Sequence, residues 1–305
     1  MGRFILFRLL QAAITLLALS AGVFFAVNIT GDVVSFLTNP QDTQAERQAM
    51  RERLGLDRPV YVQYAKFLGH MVQGDFGDSP TWGVPARDLL AERLPNTIKL
   101  AAAGFLLTVI IGIPLGIVSA VNRRGLVDRI VTPLAIVGMA APQFWVGVML
   151  ILLFGAILGW LPTFGMGGPS HFVLPAFSLS LFLIAGMVRL TRSSMLEVLD
   201  SEYIKFARVK GLAEWAVIWK HALKNAVIPV MTFAGISLGG LLNGSIVVEV
   251  VFAWPGVGRL MLTSVTQRDF TVVEATVLTS GGLYILMATI VDILYAYVDP
   301  RIRET

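Results

Sequence analysis

The stretch Ser201–Pro229, SEYIKFARVKGLAEWAVIWKHALKNAVIP, is a charged segment between two long apolar segments of the chain. Before Gly211, three apolar side chains fall at i, i+3 and i+4, the spacing of one helical face: Tyr203, Phe206 and Ala207. After Gly211, a second stripe has helical spacing: Trp215, Ile218, Trp219 and Ala222. A glycine between two such stripes is typical of a helix end. The pattern predicts two short amphipathic helices, which form either a docking platform for another protein or a solvated surface loop.

The composition indicates what kind of protein carries this segment. Of the 305 residues, 55% are hydrophobic and 14% are charged, and the mean hydropathy is +0.73. Soluble domains carry roughly 25% charged residues, so the deficit indicates a polytopic membrane protein. The sequence has no cysteine, which excludes disulfides, thiolate metal sites and a cysteine nucleophile. His70, His171 and His221 lie in separate segments without an HExxH pattern, so no histidine-built metal site is expected.

Six apolar segments predict an all-α polytopic membrane protein with six transmembrane helices. They are Leu9–Gly31, Leu100–Val121, the region near Ile130–Trp160, the region near Ala176–Met195, a span anchored by Val230–Val248, and Val272–Tyr297. Between the first two spans, Asp32–Asn96 is predicted to be a small ordered extramembrane insertion with helices at Glu46–Leu54 and Val60–Val72. The predicted division is 1–31, 32–96, 97–298 and a tail 299–305, with the charged loop at about 196–229.

The distribution of basic residues predicts the orientation in the membrane. Six spans place both termini on one side, and 14 Lys and Arg lie on that side against two in the short loops of the other. The long first loop is discounted in this comparison. The rule therefore predicts that both termini and the Ser201–Pro229 loop are cytoplasmic.

Few charged side chains lie within or beside the predicted spans. Glu249, Glu274 and Asp292 lie near span ends and are interpreted as interfacial residues rather than a proton relay. Arg189 and Arg192 are interpreted as snorkelling anchors rather than substrate ligands. Since the chain has no GxxxxGK[ST] loop, any ATP that it uses must be bound by another chain.

Uncharged polar groups within the spans leave two interpretations open. Gln143 and Asn243 either form hydrogen bonds between helices or line a pathway. The run Pro142–Trp145 breaks the third span and marks either a cavity or a packing site.

Nine stretches, in order along nearly the whole chain, resemble the membrane subunits of bacterial binding-protein-dependent ABC importers for dipeptides and oligopeptides. They are Leu54–Pro59, Gln63–Tyr64, Gly74–Ser79, Arg93–Thr97, Pro142–Trp145, Glu202–Leu212, His221–Ala226 with Pro229, Glu249–Gly258 and Asp299–Arg303. The ordered set is specific, whereas any one stretch would be weak. The long first loop resembles the first of the two membrane subunits that such systems use.

The resemblance implies a type I ABC importer transmembrane fold in which the charged loop engages the ATPases. Of the general family pattern (EAA, three residues, Gly), Ala207 and Gly211 match, while Lys205 and Phe206 depart from it. The chain instead follows the version of the peptide-importer branch. The implied ATPase-coupling residues are Glu202, Tyr203, Lys205, Phe206, Ala207, Arg208, Lys210, Gly211, Leu212, His221 and Leu223.

Two further sets of residues are candidates for function. Gln143, Phe144 and Asn243 are candidates for the translocation path. Trp82, Trp254 and Arg268, in the outer loops, are candidates for contact with a binding protein.

The resemblance also implies the assembly of an inner-membrane permease. The expected partners are a paralogous second permease, two ABC ATPase subunits, an extracytoplasmic solute-binding protein and the lipid bilayer, with no nucleic acid. We expect no catalytic residue, metal or cofactor in this chain, because ATP and Mg²⁺ would bind to the ATPases.

The alternatives to peptide import are a different cargo, an intramembrane enzyme, and a channel or ion-coupled transporter. The same architecture could import nickel chelates or glutathione. An intramembrane enzyme is disfavoured because the sequence lacks paired acids, a Ser–His pair in one segment and a metal motif at membrane depth. A channel or ion-coupled transporter is disfavoured by the scarcity of charges within the spans.

Overall fold

The computed structural model describes residues 2–30, 43–45, 48, 52 and 57–298. Within residues 2–30 and 57–298, the α-helices are α1 (Gly2–Thr30), α2 (Val60–Val72), α3 (Ala86–Val121), α4 (Leu126–Ala140), α5 (Gln143–Leu150), α6 (Ser170–Leu199), α7 (Glu202–Val209), α8 (Glu214–Ala216), α9 (Leu223–Val251), α10 (Val257–Gln267) and α11 (Phe270–Val298). Helix α5 continues into a π-helical turn at Ile151–Ile157, and a second π-helical turn, Val217–Ala222, joins α8 to α9. The described residues contain no β-strand beyond an isolated bridge between Asp78 and Pro85.

Five helical stretches are long and apolar enough to cross a membrane: Gly2–Val27, Ala86–Val121, Ser170–Leu199, Glu214–Leu242 and Phe270–Ile293. A sixth candidate, the predicted third span, consists of α4 and α5 with a bend of 111° between them. The bend falls where Pro142 has no N–H to continue the helical ladder and pushes the preceding residue out of the helical region. The predicted interruption at Pro142–Trp145 is therefore present.

The contacts of the bent pair follow α6 from its last turns toward its first, so we count the pair as one crossing. At the start of α4, the Asp128 carboxylate meets Arg192 near the end of α6. At the bend, Gln143 Nε2 donates a hydrogen bond to the Leu179 carbonyl at 3.3 Å. Beyond the π turn, Leu161 packs against the buried cluster that contains Leu174, one turn into α6. The chain thus progresses from one end of α6 to the other.

Helix α3 approaches α6 closely through two glycines spaced four residues apart. A Cβ added at Gly112 would lie 2.6 Å from the Met187 Cβ, and one added at Gly116 would lie 2.5 Å from the Thr191 Cβ. Such distances leave no room for a side chain, as at other helix contacts between small residues in membranes. The two glycines therefore allow α3 and α6 to approach closely.

A buried carboxylate fastens α4 to α3 and α6. Asp128 accepts two hydrogen bonds from the Arg192 guanidinium, at 2.6 Å and 2.9 Å. It also accepts bonds from Ser119 Oγ at 2.6 Å, Thr132 Oγ1 at 3.0 Å and the Arg124 backbone N–H at 2.9 Å. The interpretation of Arg192 as a snorkelling anchor was wrong, since its charge is paired inside the chain.

A second compact unit contains residues 2–96 and 256–289. Tyr64 on α2 hydrogen-bonds with Ser20 on α1 at 2.8 Å, and the Tyr64 and Phe24 rings lie 5.4 Å apart. Asp269, almost completely buried, accepts a 2.5 Å hydrogen bond from Ser79 Oγ and a 3.1 Å bond from the Val272 N–H. The same carboxylate therefore caps α11 and holds the turn after α2.

The predicted insertion is partly described. Helix α2 matches the predicted Val60–Val72 helix. The predicted Glu46–Leu54 helix lies largely outside the described residues, as does the whole tail 299–305. The insertion does not stand apart from the rest of the chain, since the second unit also includes α1 and residues 256–289.

Removing one partner of the Asp128–Arg192 pair should destabilise the fold, because the other charge is left without its counter-ion. We expect Asp128→Ala to lower the free energy of unfolding by about 3 kcal/mol. The double variant Asp128→Ala/Arg192→Ala should lose less, because it leaves no unpaired charge. The measurement is the thermal unfolding midpoint of the purified protein in detergent.

Arg189→Ala is the matched control, because Arg189 lies one turn earlier on α6 and is exposed, with a 3.2 Å contact to Met139 Sδ. We expect its midpoint to stay close to that of the wild type. Equal midpoints for Asp128→Ala and Arg189→Ala would show that the pair does not hold α4 in place.

Candidate functional site

The charged loop contains two helices joined at Gly211, as the sequence predicts. Helix α7 ends in a Schellman motif: the Leu212 N–H donates to the Ala207 carbonyl at 3.3 Å, and the Gly211 N–H donates to the Arg208 carbonyl at 2.9 Å. Gly211 has φ +77°, a left-handed conformation that side chains rarely adopt. The glycine thus allows the chain to turn sharply from α7 into α8.

The buried face of α7 consists of Ile204 and Ala207, which are 0% and 8% exposed. Both belong to a core cluster with Val217, Ala222 and Ala226 of the helix that follows. The grouping of Ala207 with Tyr203 and Phe206 on one docking face was wrong. The i, i+3, i+4 spacing defines a wide face, and the chain covers only the Ala207 side of it with its own residues.

The exposed face of α7 carries apolar side chains. Tyr203 is 45%, Phe206 59% and Val209 83% exposed. Leu212, Trp215 and Trp219 are also exposed in the segment that follows. An apolar surface of this kind, rimmed by charges, is typical of a protein interaction site.

The charges of the loop are arranged in pairs. The Arg208 guanidinium donates to both carboxylate oxygens of Glu214, at 2.7 Å and 3.2 Å, and this bond raises the pKa of Arg208. Within α7, Lys205 Nζ lies 2.7 Å from the Glu202 carboxylate, which raises the pKa of Lys205. Lys210 Nζ lies 4.6 Å from the centre of the Phe206 ring, a cation–π contact.

The remaining predicted coupling residues lie just after the turn. His221 is partly buried in the π-helical turn, and Leu223, also partly buried, begins α9. The structure therefore gathers all the predicted coupling residues in one segment, although their role in coupling stays a prediction.

Two of the three candidate path residues, Gln143 and Phe144, begin α5 at the bend, whereas Asn243 lies on α9. Gln143 is held to α6 by its bond to Leu179 and by a 3.1 Å bond from Ser178 Oγ to the Gln143 carbonyl. Its amide also lies close to Gly244 on α9. Phe144 is exposed, and the side chain of Asn243 lies outside the described part of the chain. Gln143 therefore forms hydrogen bonds between helices, which was one of the two roles predicted for it.

The candidate contact residues differ in exposure. Trp82 is partly buried against the cluster of Leu89 and Leu260, and Arg268 is exposed at the end of α10. Trp254 is completely buried, with its ring edge-on to Phe172 at 4.7 Å. Because it presents no surface to a partner, Trp254 is removed from the candidate contact residues.

Sequence reasoning missed three buried polar contacts. Asp128–Arg192 joins residues 64 positions apart, and nothing in the local pattern pairs them. Glu249, interpreted as interfacial, is completely buried and accepts a 2.7 Å bond from Thr97 Oγ1. Asp269 carried a usable signal, since an Asp directly before an apolar run is a helix N-cap signature.

Side chains that could bind a metal are dispersed in the described part of the chain. Within residues 2–30, 43–45, 48, 52 and 57–298, no group of three or more His, Cys, Asp or Glu is placed to hold an ion. The candidate site in the charged loop consists of exposed apolar side chains and paired charged side chains.

Comparison with known families and proteins identifies the family of this chain. Residues 112–304 match the model described as "Binding-protein-dependent transport system inner membrane component", and residues 1–101 match the corresponding N-terminal model. The chain is 40% identical to the oligopeptide transport system permease protein AppB of Bacillus subtilis, over 99% of this chain and 100% of that protein. It is also 40% identical to the glutathione transport system permease protein GsiC of Escherichia coli, over 99% of both.

Solved structures agree on the fold. An inward-facing structure of the MetNI methionine ABC transporter matches with a TM-score of 0.59 and 20% identity, covering 69% of this chain and 96% of the other. An amino acid ABC transporter matches with a TM-score of 0.51 and 18% identity, covering 70% and 94%. The predicted type I importer fold is confirmed. The chain therefore belongs to the family of binding-protein-dependent transport system inner membrane components, as a multi-pass permease subunit of an ABC importer.

Proposed function

We propose that this chain forms half of the translocation pathway of an ATP-driven importer of dipeptides and oligopeptides, with a paralogous permease as the other half. The observation that carries the proposal is the 40% identity to an oligopeptide permease over the full length of both chains. Glutathione is the second candidate, favoured by an equal identity to GsiC. Glutathione is itself a tripeptide, so both candidates share peptide chemistry.

The experiment that tests the cargo uses the assembled importer in proteoliposomes. We expect uptake of labelled di- and oligopeptides that depends on ATP and on the solute-binding protein. Competition by unlabelled peptides, but not by glutathione, would support the main proposal. Uptake of glutathione alone would support the second candidate, and uptake without the ATPases would contradict both.

Coupling to ATP is proposed to pass through α7. Two ATPase subunits, which bind ATP and Mg²⁺, would receive the exposed side chains Tyr203 and Phe206 in a surface cleft, a helix-in-groove contact. Closure of the ATPases would displace α7 together with the spans behind it. In support, the exposed face of α7 is apolar, whereas its other face is anchored in the chain.

Both termini and α7 are proposed to be cytoplasmic in the bacterial inner membrane. Two arguments support this orientation: the bent α4–α5 pair counts as one crossing, and basic residues are concentrated on the side of the termini. Trp82 and Arg268 would then face outward and contribute to contact with the solute-binding protein.

Single introduced cysteines can test the orientation, because the chain has none of its own. We expect Thr81→Cys and Thr266→Cys, both exposed, to react with an impermeant thiol reagent in intact spheroplasts. Glu202→Cys should react only after the membrane is opened. Ser79 is unsuitable as a probe because it is buried against Asp269. Labelling of Glu202→Cys in intact spheroplasts would reverse the proposed orientation.

Phe206 should act as an anchor for the ATPases, because it is the exposed aromatic side chain at the centre of α7. We expect Phe206→Ala to weaken ATPase binding roughly 30-fold, since loss of an interface hot spot costs about 2 kcal/mol. Lys205→Ala should have little effect, because exposed ion pairs contribute little. The measurement is titration of the purified ATPase onto the permease pair in nanodiscs, and equal affinities for the two variants would argue against this docking face.

Gly211 should be required for its backbone conformation rather than for space, because an added Cβ would meet no atom of the described chain within 4 Å. We expect Gly211→Val to strain the turn by roughly 1 kcal/mol or more and to reduce ATPase binding. Gly211→Asn should retain most of the binding, because asparagine tolerates the left-handed conformation. If Asn is as damaging as Val, the requirement at this position is for the absence of a side chain against the partner.

A further inference from the structure

Helix α7 is joined to α9 by more than the peptide chain. The turn Lys210–Ala213 separates α7 from α8, which continues through the π-helical turn into α9. A glycine turn of this kind could by itself act as a hinge, because a few residues can absorb a large change in φ and ψ. The bidentate bond from Arg208 to Glu214 spans this turn. Arg208 lies in the last turn of α7 and Glu214 begins the next helix.

Two other contacts brace α7 against the following helix. Asn225 Nδ2, in the first turn of α9, donates a 2.6 Å hydrogen bond to Tyr203 Oη. Ile204 and Ala207 are buried in the cluster that contains Ala226. The helix is therefore held at its first turn, along its buried face and at its last turn.

The geometry of the Arg208–Glu214 pair separates it from an ordinary surface ion pair. Exposed pairs usually contribute little, but a planar guanidinium that donates to both oxygens of a carboxylate has one preferred relative orientation. The pair thus restricts the angle between two helices rather than adding much to the free energy of unfolding. Restriction of an angle matters when one helix must transmit displacement to another.

We propose that Arg208 and Glu214 are positioning residues that lock α7 to α8 and α9, so that the three move as one body. The inference rests on the proposed function, in which the ATPases displace α7. Without the lock, the turn at Gly211 would bend, and part of each displacement would be lost before it reached the membrane span. ATP hydrolysis would then continue with less transport for each ATP.

The chain supplies a control in the Arg123–Asp200 pair, whose two residues lie outside the set of predicted coupling residues. Arg123 Nη1 lies 3.3 Å from the Asp200 carboxylate and both side chains are exposed, but the pair does not span the turn Lys210–Ala213. Asp200→Asn removes a carboxylate directly before the loop without freeing the turn. The two pairs therefore separate a locking role from a general effect of charge near the ATPases.

The first experiment measures ATP hydrolysed per solute imported by the assembled importer in proteoliposomes. We expect Glu214→Gln and Arg208→Gln to raise this ratio at least threefold while the ATPases still co-purify with the permease. The exchanged pair Arg208→Glu/Glu214→Arg should return the ratio toward that of the wild type, and Asp200→Asn should leave it unchanged. Unchanged ratios in the single variants would overturn the proposal.

Two results would distinguish a direct ATPase contact from a lock. If the single variants lose the ATPases and the exchanged pair does not recover them, Arg208 and Glu214 are contact residues and the lock is overturned. Recovery by the exchanged pair supports the lock, because an exchange reverses both charges toward any partner yet preserves their attraction to each other.

The second experiment does not depend on the proposed function. Spin labels at Val209→Cys and Lys224→Cys, both at exposed positions, report the distance between α7 and α9 in the purified permease complex. We expect Glu214→Gln to broaden the distance distribution and Asp200→Asn to leave it narrow. A narrow distribution in Glu214→Gln overturns the lock whether or not the importer transports peptides, whereas failure of wild-type uptake to require ATP overturns only the proposed function.

Discussion

The constraint that shapes this chain is that backbone N–H and C=O groups inside a bilayer must be paired within the protein. A chain that meets this constraint with helices can change direction only where other groups replace the lost helical bonds. At the bend between α4 and α5, Gln143 and Ser178 provide bonds to α6. At Gly211, outside the proposed spans, the Schellman bonds pair two carbonyls of α7 within the chain. Hydrogen bonds within the chain thus support both the bend and the turn that carries the predicted coupling residues.

Charges within the spans follow the same logic, because an unpaired charge there is costly. Asp128 accepts hydrogen bonds from four residues: Ser119 of α3, Arg124 in the turn after α3, Thr132 of α4 and Arg192 of α6. This arrangement fixes the start of the bent pair beside the end of α6. With its start fixed there and its continuation packed toward the beginning of α6, the pair crosses once. The buried ion pair is therefore one of the contacts that support counting the bent pair as a single crossing.

The sequence was informative wherever the decisive signal is local. Span positions follow from apolar runs, and the turn at Gly211 follows from one glycine between two periodic stripes. The sequence was misleading wherever the outcome depends on residues far away. Periodicity placed Ala207 and Phe206 on one face, but only tertiary packing decides which part of a wide face is covered. Likewise, Trp254 lies in a turn-rich run, and the sequence therefore predicted a surface residue. In the structure its ring packs against Phe172, which lies more than 80 positions earlier in the chain.

Helix α7 has eight residues, and a helix of that length is not stable alone in water. Its shape must therefore come from the seam of Ile204 and Ala207 against the next helix. Under the proposed function, an ATPase that binds the exposed face of α7 would displace this seam together with the Arg208–Glu214 pair. Folding of α7 and the proposed transmission of displacement would thus depend on the same contacts. Because α7 is too short to be stable alone, it stays helical only while it is packed against the next helix. For that reason we expect it to move together with the span that follows.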